Sequence, residues 1–230
     1  ERGAKTVTNS QTNLEALNGI CPYFTMFPLK FPLGILKLHA KNDDYVLDPF
    51  CGRGTTNFAA RLLGLSSLGV DSSPVATAIT ASKLTVTSVQ EIMAEAQSII
   101  AQRSPRNLPT SEFWHLAYHP MVLNAICCLR EAFLEDCTTP ARIALRGIIL
   151  GALHGPKQKT FQSYFSNQSP RTYAPKPAYA IRFWQTRGLL PEQIDVLGVI
   201  ERRAKRYFGA LPNATGTVRM ADSRHPEAFQ

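Results

Sequence analysis

No run of 18 apolar residues occurs in the 230-residue chain, which excludes a membrane-spanning helix of ordinary length. The best candidate, Ile143 to Leu153, is interrupted by Arg146, and the first residues do not have the pattern of a secretory signal. The expectation is a soluble cytoplasmic protein with no membrane partner. Cysteine is sparse and unpatterned: five residues, Cys21, Cys51, Cys127, Cys128 and Cys137, with no C-x-x-C pair and no histidine at zinc spacing. That excludes a recognisable zinc site and reads as reduced, mostly buried thiols, with no metal. Acidic residues are the scarce charge, 17 against 25 lysines and arginines, and the net charge of +8 favours a polyanionic partner. Such an excess also serves solubility alone, so charge leaves both readings open. The 44% hydrophobic content is enough for one large domain or a domain carrying an insertion.

Residues 1 to 20 are polar and aperiodic, which suggests a partly ordered arm. Prolines 22, 28 and 32 postpone any helix until about Leu33. "DYVLDPF" reads as a short buried strand, and "GRGTTNFAARLLGL" as a turn entering a helix that Gly64 ends. "SSLGVDSS" is a second strand with an acid at its C-terminal end, followed by a helix with Pro74 in its first turn. Strand, glycine turn, helix and strand make a βαβ unit, whose right-handed crossover sets the two strands parallel. Ligands on such sheets bind at the carboxyl ends of strands, where Asp48 and Asp71 fall.

From Thr85 to about Thr215 the pattern becomes helical, with a Ser88–Glu91 capping box, apolar helices over "HPMVLNAICCLREAFLE" and "TPARIALRGIILGALHG", and a last helix from Pro191 to near Gly209. A long loop, Pro156 to Trp184, separates the last two, and loops of that length are more often functional than idle. "GTVRMADSR" then reads as a third strand ending in Asp222. The organisation expected is an α/β part over 1–84, a helical insertion over 85–215, and a return to the sheet over 216–230.

The stretch "VLDPFCGRGTT", Val46 to Thr56, is the most informative. A P-loop needs a lysine after its glycines, and none is present. A dinucleotide fingerprint needs a third glycine where Asn57 stands, and Asp48 would repel a pyrophosphate. A ligand with a positive centre and no phosphate suits the loop better: a carboxylate at the strand end, small residues for close backbone approach, and a helix N-terminus for an anionic group.

This loop resembles the cofactor motif D-P-F-x-G-x-G-T of the DNA methyltransferases that act on adenine N6 or cytosine N4. The resemblance implies S-adenosylmethionine as cofactor and a Rossmann-like class I methyltransferase sheet. Of that sheet this chain supplies strands one to three, with the helical insertion between the second and third. In the loop it implies that Asp48, Pro49, Phe50, Gly52, Gly54 and Thr55 bind the cofactor. "FPLKFP" resembles the element preceding it, so Lys30, Phe31 and Pro32 would line the methionine end. "LGVDSS" resembles the acidic second-strand end, implying that Asp71, with Ser72, meets the ribose hydroxyls, a role its place about 20 residues past the glycines also suggests. "MADSR" resembles the third-strand element, implying that Asp222 and Ser223 meet the adenine amino group. The match covers about residues 27 to 82 and 216 to 224.

The family's catalytic [DSN]-P-P-[YFW] motif is absent from the chain, so the catalytic residues are unknown. The nearest string, "QSPRTY" (Gln168 to Tyr173), has Arg171 in place of the second proline. Methylating an exocyclic amine requires taking up its protons while the base is flipped out of double-stranded DNA. That half is expected from a continuation or a partner polypeptide. With strands in the order three, two, one, the first strand would lie at an exposed apolar edge awaiting it. In the middle segment, Lys157 to Arg206 holds ten basic residues against three acids, interleaved with aromatics. Lys157, Lys159, Arg171, Lys176 and Arg182 are therefore the candidate DNA contacts, with restriction–modification as the expected setting. A non-catalytic cofactor- or DNA-binding subunit of a split enzyme and an RNA methyltransferase are the competing readings.

Overall fold

The computed structural model describes residues 15–23, 27–157, 160–168, 176–209, 212–213 and 215–230. They fall into two compact units: an α/β unit drawn from Glu1–Ile20, Thr25–Val86 and Lys205–Gln230, and a helical unit drawn from Cys21–Phe24 and Thr87–Ala204.

In the α/β unit the order is α1 (Lys30–His39), β1 (Tyr45–Asp48), α2 (Thr55–Leu62), β2 (Ser66–Asp71), α3 (Pro74–Leu84) and β3 (Thr217–Met220). The three strands form one parallel sheet in the order β1-β2-β3, with Asp48 opposite Gly69 and Asp71 opposite Met220. This is the α/β fold expected, a partial Rossmann-like methyltransferase sheet. β2 shows why it sits in the centre. On one face Leu68 and Val70 pack against Ala228, Ala221 and Phe229 from the C-terminal segment. On the other, small residues admit close neighbours: a Cβ added at Gly69 would lie 2.9 Å from Asn57 Oδ1 and 3.0 Å from the Cys51 side chain.

β1 is different. Among the described residues it pairs only with β2, and Tyr45 and Leu47, which share one face, are 60% and 49% exposed. Helix α1, which packs on α2, shows a second uncovered stripe at helical spacing, Phe31, Ile35 and Leu38.

Several boundaries differ from the sequence reading. Helix α1 begins at Lys30, three residues early, because Pro32 occupies its first turn, where no intrahelical N–H is needed. The end of the supposed arm is core: Leu17 and Ile20 are wholly buried, and buried Asn18 accepts from Lys83 Nζ through Oδ1 at 2.8 Å and from Arg53 Nη2 through its carbonyl at 3.0 Å. Residues 1–14 lie outside the described residues. β3 ends at Met220, two residues before Asp222, which folds into a turn and accepts from the Arg224 and His225 amides. Buried Arg61 ties the separate pieces of this unit together. Its Nη1 donates to the Lys83 and Thr85 carbonyls at 2.6 and 3.0 Å, and its Nε to Pro212 at 2.9 Å. Burial lowers its guanidinium to about 10.

The helical unit contains α4 (Val89–Gln102), α5 (Glu112–Ala117), α6 (Pro120–Glu135), α7 (Pro140–Ala152), α8 (Pro177–Thr186) and α9 (Val196–Tyr207), the last three residues of α9 belonging to the α/β unit. The expected capping box opens α4: Ser88 Oγ accepts from the Glu91 amide and Glu91 Oε2 from the Ser88 amide. Helices α6, α7 and α8 each start with a proline after an extended residue, as does α3. Two corrections apply. The supposed loop Pro156–Trp184 contains most of α8, stopped by Gly188 at φ +59°, with Leu189 N–H bonded to the Trp184 carbonyl. The last helix starts at Val196 instead of Pro191, because Asp195 Oδ1 captures the Gly198 amide and caps it. The short helix α5 was not anticipated.

Candidate functional site

The carboxyl ends of β1 and β2 meet at the glycine loop. Cys51 N–H bonds the Val70 carbonyl at 3.0 Å, continuing the sheet into the loop, and Gly54 N–H closes a turn on the Cys51 carbonyl at 2.7 Å. Gly52 and Gly54 both adopt left-handed backbone, φ +51° and +68°, which the absence of a Cβ permits. Asp71, the last residue of β2, fixes the loop from across the crossover: Oδ2 accepts from the Gly52 amide at 2.9 Å and Oδ1 from the Ser73 amide at 2.8 Å. A carboxylate offers about four acceptor positions, so both oxygens retain capacity for a further donor. Among the described residues Asp48 Oδ1 accepts from the Phe50 amide alone, at 3.2 Å, and Phe50 itself is 77% exposed. Thr55 opens α2 beneath this loop and is buried.

Thr80 holds the loop from below, and the sequence reading missed it. From α3 its hydroxyl donates to the Gly52 carbonyl at 3.0 Å and lies 3.8 Å from Cys51 Sγ. One threonine among the small residues of "PVATAITAS" carries no local signal of that contact. Thr80 also explains Gly54, where an added Cβ would sit 2.6 Å from the threonine's Oγ1 and Cγ2, whereas at Gly52 it would meet nothing within 4 Å. Gly54→Ala is expected to destabilise the chain by about 2–4 kcal/mol, combining left-handed strain with displacement of Thr80. Gly52→Ala should cost only the strain, about 1–2 kcal/mol. Urea unfolding of the two variants checks the difference, and equal losses would refute the Thr80 contact.

Cys51 is buried, and burial pushes its thiol up to about 12, away from the thiolate form that a nucleophile needs. Buried Asn57, where a dinucleotide fingerprint would have its third glycine, leaves Oδ1 and Nδ2 with no partner among the described residues.

The other predicted residues stand as follows. Lys30 and Phe31 are exposed at the start of α1, Phe31 meets Phe27 edge-on at 5.6 Å, and Pro32 is buried. Pro49 is half-buried and Ser72 exposed beside Asp71. Asp222 and Ser223 lie just past β3. Asp222 is engaged with Arg224, Oδ2 to Nη2 at 2.5 Å and Oδ1 to Nε at 3.0 Å, and this pairing holds its carboxyl well below the usual range.

In the helical unit, Lys157 pairs with Glu192, whereas Lys176 and Arg182 are exposed. Lys159 and Arg171, and most of "QSPRTY", lie outside the described residues. Phe165 and Trp184 are core; Trp184 Nε1 donates to the Gln168 carbonyl at 2.8 Å. Exposed Tyr179 stacks on Phe183 at 6.2 Å, and the Arg187 guanidinium lies 3.9 Å from the Phe183 ring centroid. No helix among the described residues is long and apolar enough to cross a membrane, and none of their side chains form a metal-binding cluster.

A parallel sheet whose first crossover carries a glycine turn, with an acid from the next strand end bonded into it, defines a partial Rossmann-like fold. The model of the DNA methylase family matches residues 4–82, and over that part, about a third of its length, the chain is similar to the N6-adenine and N4-cytosine methyltransferases. The match takes in α1, β1, α2, β2 and most of α3, and stops before α4. No curated protein and no solved structure matches the chain.

Proposed function

We propose that the chain is the cofactor-binding portion of an S-adenosylmethionine-dependent DNA methyltransferase acting on an exocyclic amino group, adenine N6 or cytosine N4. The observation that carries this reading is the Asp71 carboxylate, which pins the Gly52 amide and keeps acceptor capacity at the sheet's ligand end. The donor set suits the cofactor: two carboxylates without a facing lysine, an uncovered Gly52, and a helix start for an anionic group. When bound, S-adenosylmethionine supplies a methyl group made electrophilic by its sulfonium.

The chain's own residues bind and orient. Asp71 and Ser72 accept from the ribose hydroxyls. Asp48, Pro49 and Phe50 face the cationic centre, and Gly52, Gly54 and Thr55 let the backbone approach it. Lys30, Phe31 and Pro32 border the methionine end. Asp222 and Ser223 take the adenine amino group, for which Asp222 gives up part of its pairing with Arg224.

The groups that take up the amino protons come from further polypeptide, a continuation or a partner chain, which adds at the uncovered edge of β1. DNA contact falls to Lys157, Lys159, Arg171, Lys176 and Arg182. Supporting this, Lys176 and Arg182 are exposed on the helix that carries the Tyr179–Phe183–Arg187 stack.

Calorimetric titration tests the reading. Saturable binding of S-adenosylmethionine and S-adenosylhomocysteine at one site per chain is expected, with no binding of ATP, whose phosphates meet Asp48. Binding of ATP in preference to both, or no saturable binding of either, overturns it.

A further inference from the structure

We propose that the helical unit holds a second binding site, for a small amphipathic anion: an apolar body carrying a single acidic group. A cavity of about 870 Å³ opens among α5, α6, α7 and the start of α8. That is the size of pockets that take drug-sized molecules. Its walls are aromatic and aliphatic, with Phe113, Trp114, Tyr118 and Phe133 among them, and the Trp114 and Tyr118 rings stack at 6.1 Å, inclined by 19°. Flat apolar surface of this kind receives a flat or aliphatic body.

The charges on the wall set the sign of the ligand. Arg130 and Arg146 line the cavity, and no aspartate or glutamate does. Arg146 Nε is buried and has no hydrogen-bond partner, and neither guanidinium makes an ion pair among the described residues. Neighbouring arginines are treated otherwise: Arg142, one turn earlier on α7, bonds Glu95 and Asp136, and Arg103 and Arg106 both pair with Glu135. These neighbours are thus paired with acids, whereas the two arginines that line the apolar cavity are not. A guanidinium that lines an apolar cavity with no carboxylate beside it attracts an acidic group, and its fork geometry suits a carboxylate, sulfonate or phosphate oxygen. S-adenosylmethionine does not meet this description, because two guanidiniums and no carboxylate repel its sulfonium. Duplex DNA does not either, since a duplex is too wide to enter a cavity of this size. The site therefore does not depend on the function proposed for the α/β unit.

Two fluorescent probes of nearly the same shape test it: 1-anilinonaphthalene-8-sulfonate and N-phenyl-1-naphthylamine, which lacks the sulfonate. The sulfonate probe should bind at about one site per chain and at least about tenfold more tightly than the neutral one. Arg146→Met should remove that preference by weakening the sulfonate alone, and Arg130→Met, at an exposed position where folding is not at stake, should reduce it. Leu150→Trp, which fills the cavity, should abolish both. Cooperative thermal unfolding confirms that each variant is native. Equal affinity of the two probes, or sulfonate binding that survives Leu150→Trp in a folded protein, overturns the proposal.

Discussion

Replacing Asp71 by alanine is expected to weaken S-adenosylmethionine binding by about 1.5–3 kcal/mol, roughly 10- to 150-fold in dissociation constant. Two losses add. The ribose hydroxyls lose a charged acceptor, and the Gly52 amide loses the partner that sets the loop. Asp71→Asn separates them only in part. Its single carbonyl oxygen can serve the Ser73 amide, but its NH2 then faces the Gly52 N–H, donor against donor, so asparagine should recover little affinity. Calorimetry on both variants, with near-UV circular dichroism to show a native sheet, is the measurement. A dissociation constant within twofold of the native value for Asp71→Ala would falsify the ribose assignment.

The second large effect concerns β1. Tyr45 and Leu47 present an apolar face beside unpaired backbone groups, the arrangement that templates another strand. Leu47→Asp is expected to weaken assembly on this edge at least about 100-fold, because a carboxylate would be buried where roughly 1.5–3 kcal/mol of leucine burial was gained. Assembly means self-association of the native chain, or association with a polypeptide carrying the proline-proline motif. Sedimentation velocity over a wide concentration range reports the first, and co-purification with candidate catalytic chains the second. A native chain that stays monomeric while its β1 amides resist hydrogen exchange would sink the idea, since that edge would then be covered from within.

Much of the α/β unit was legible in the sequence because its signals are local. Asp48, the two glycines and Asp71 each stand at a strand end or in a turn that a short window of sequence defines, and the sheet order followed from the handedness of one crossover. Contacts over long sequence separations were not legible. Thr80 under the loop and Asn18 on Lys83 join positions 28 and 65 residues apart, with nothing at either end to mark the pairing. Helix α8 is a different case: its opening proline and closing Gly188 were present, but the four prolines and the Ser, Asn and Gln residues of Pro156–Trp184 suggested a loop. The aromatics then divided by burial, Phe165 and Trp184 inward and Phe161 and Tyr179 outward, which composition cannot foresee.

The sheet's order in space also has an order in time. β1 and β2 are adjacent in sequence, but roughly 145 residues pass before β3 arrives at Thr217. At about 5–20 residues per second of synthesis, the free edge of β2 waits on the order of ten seconds or more for its neighbour. In that interval the ribosome makes the helices α4 to α9, which pack among themselves. The nascent chain thus completes its inserted helices before β3, the strand that pairs with the waiting edge of β2.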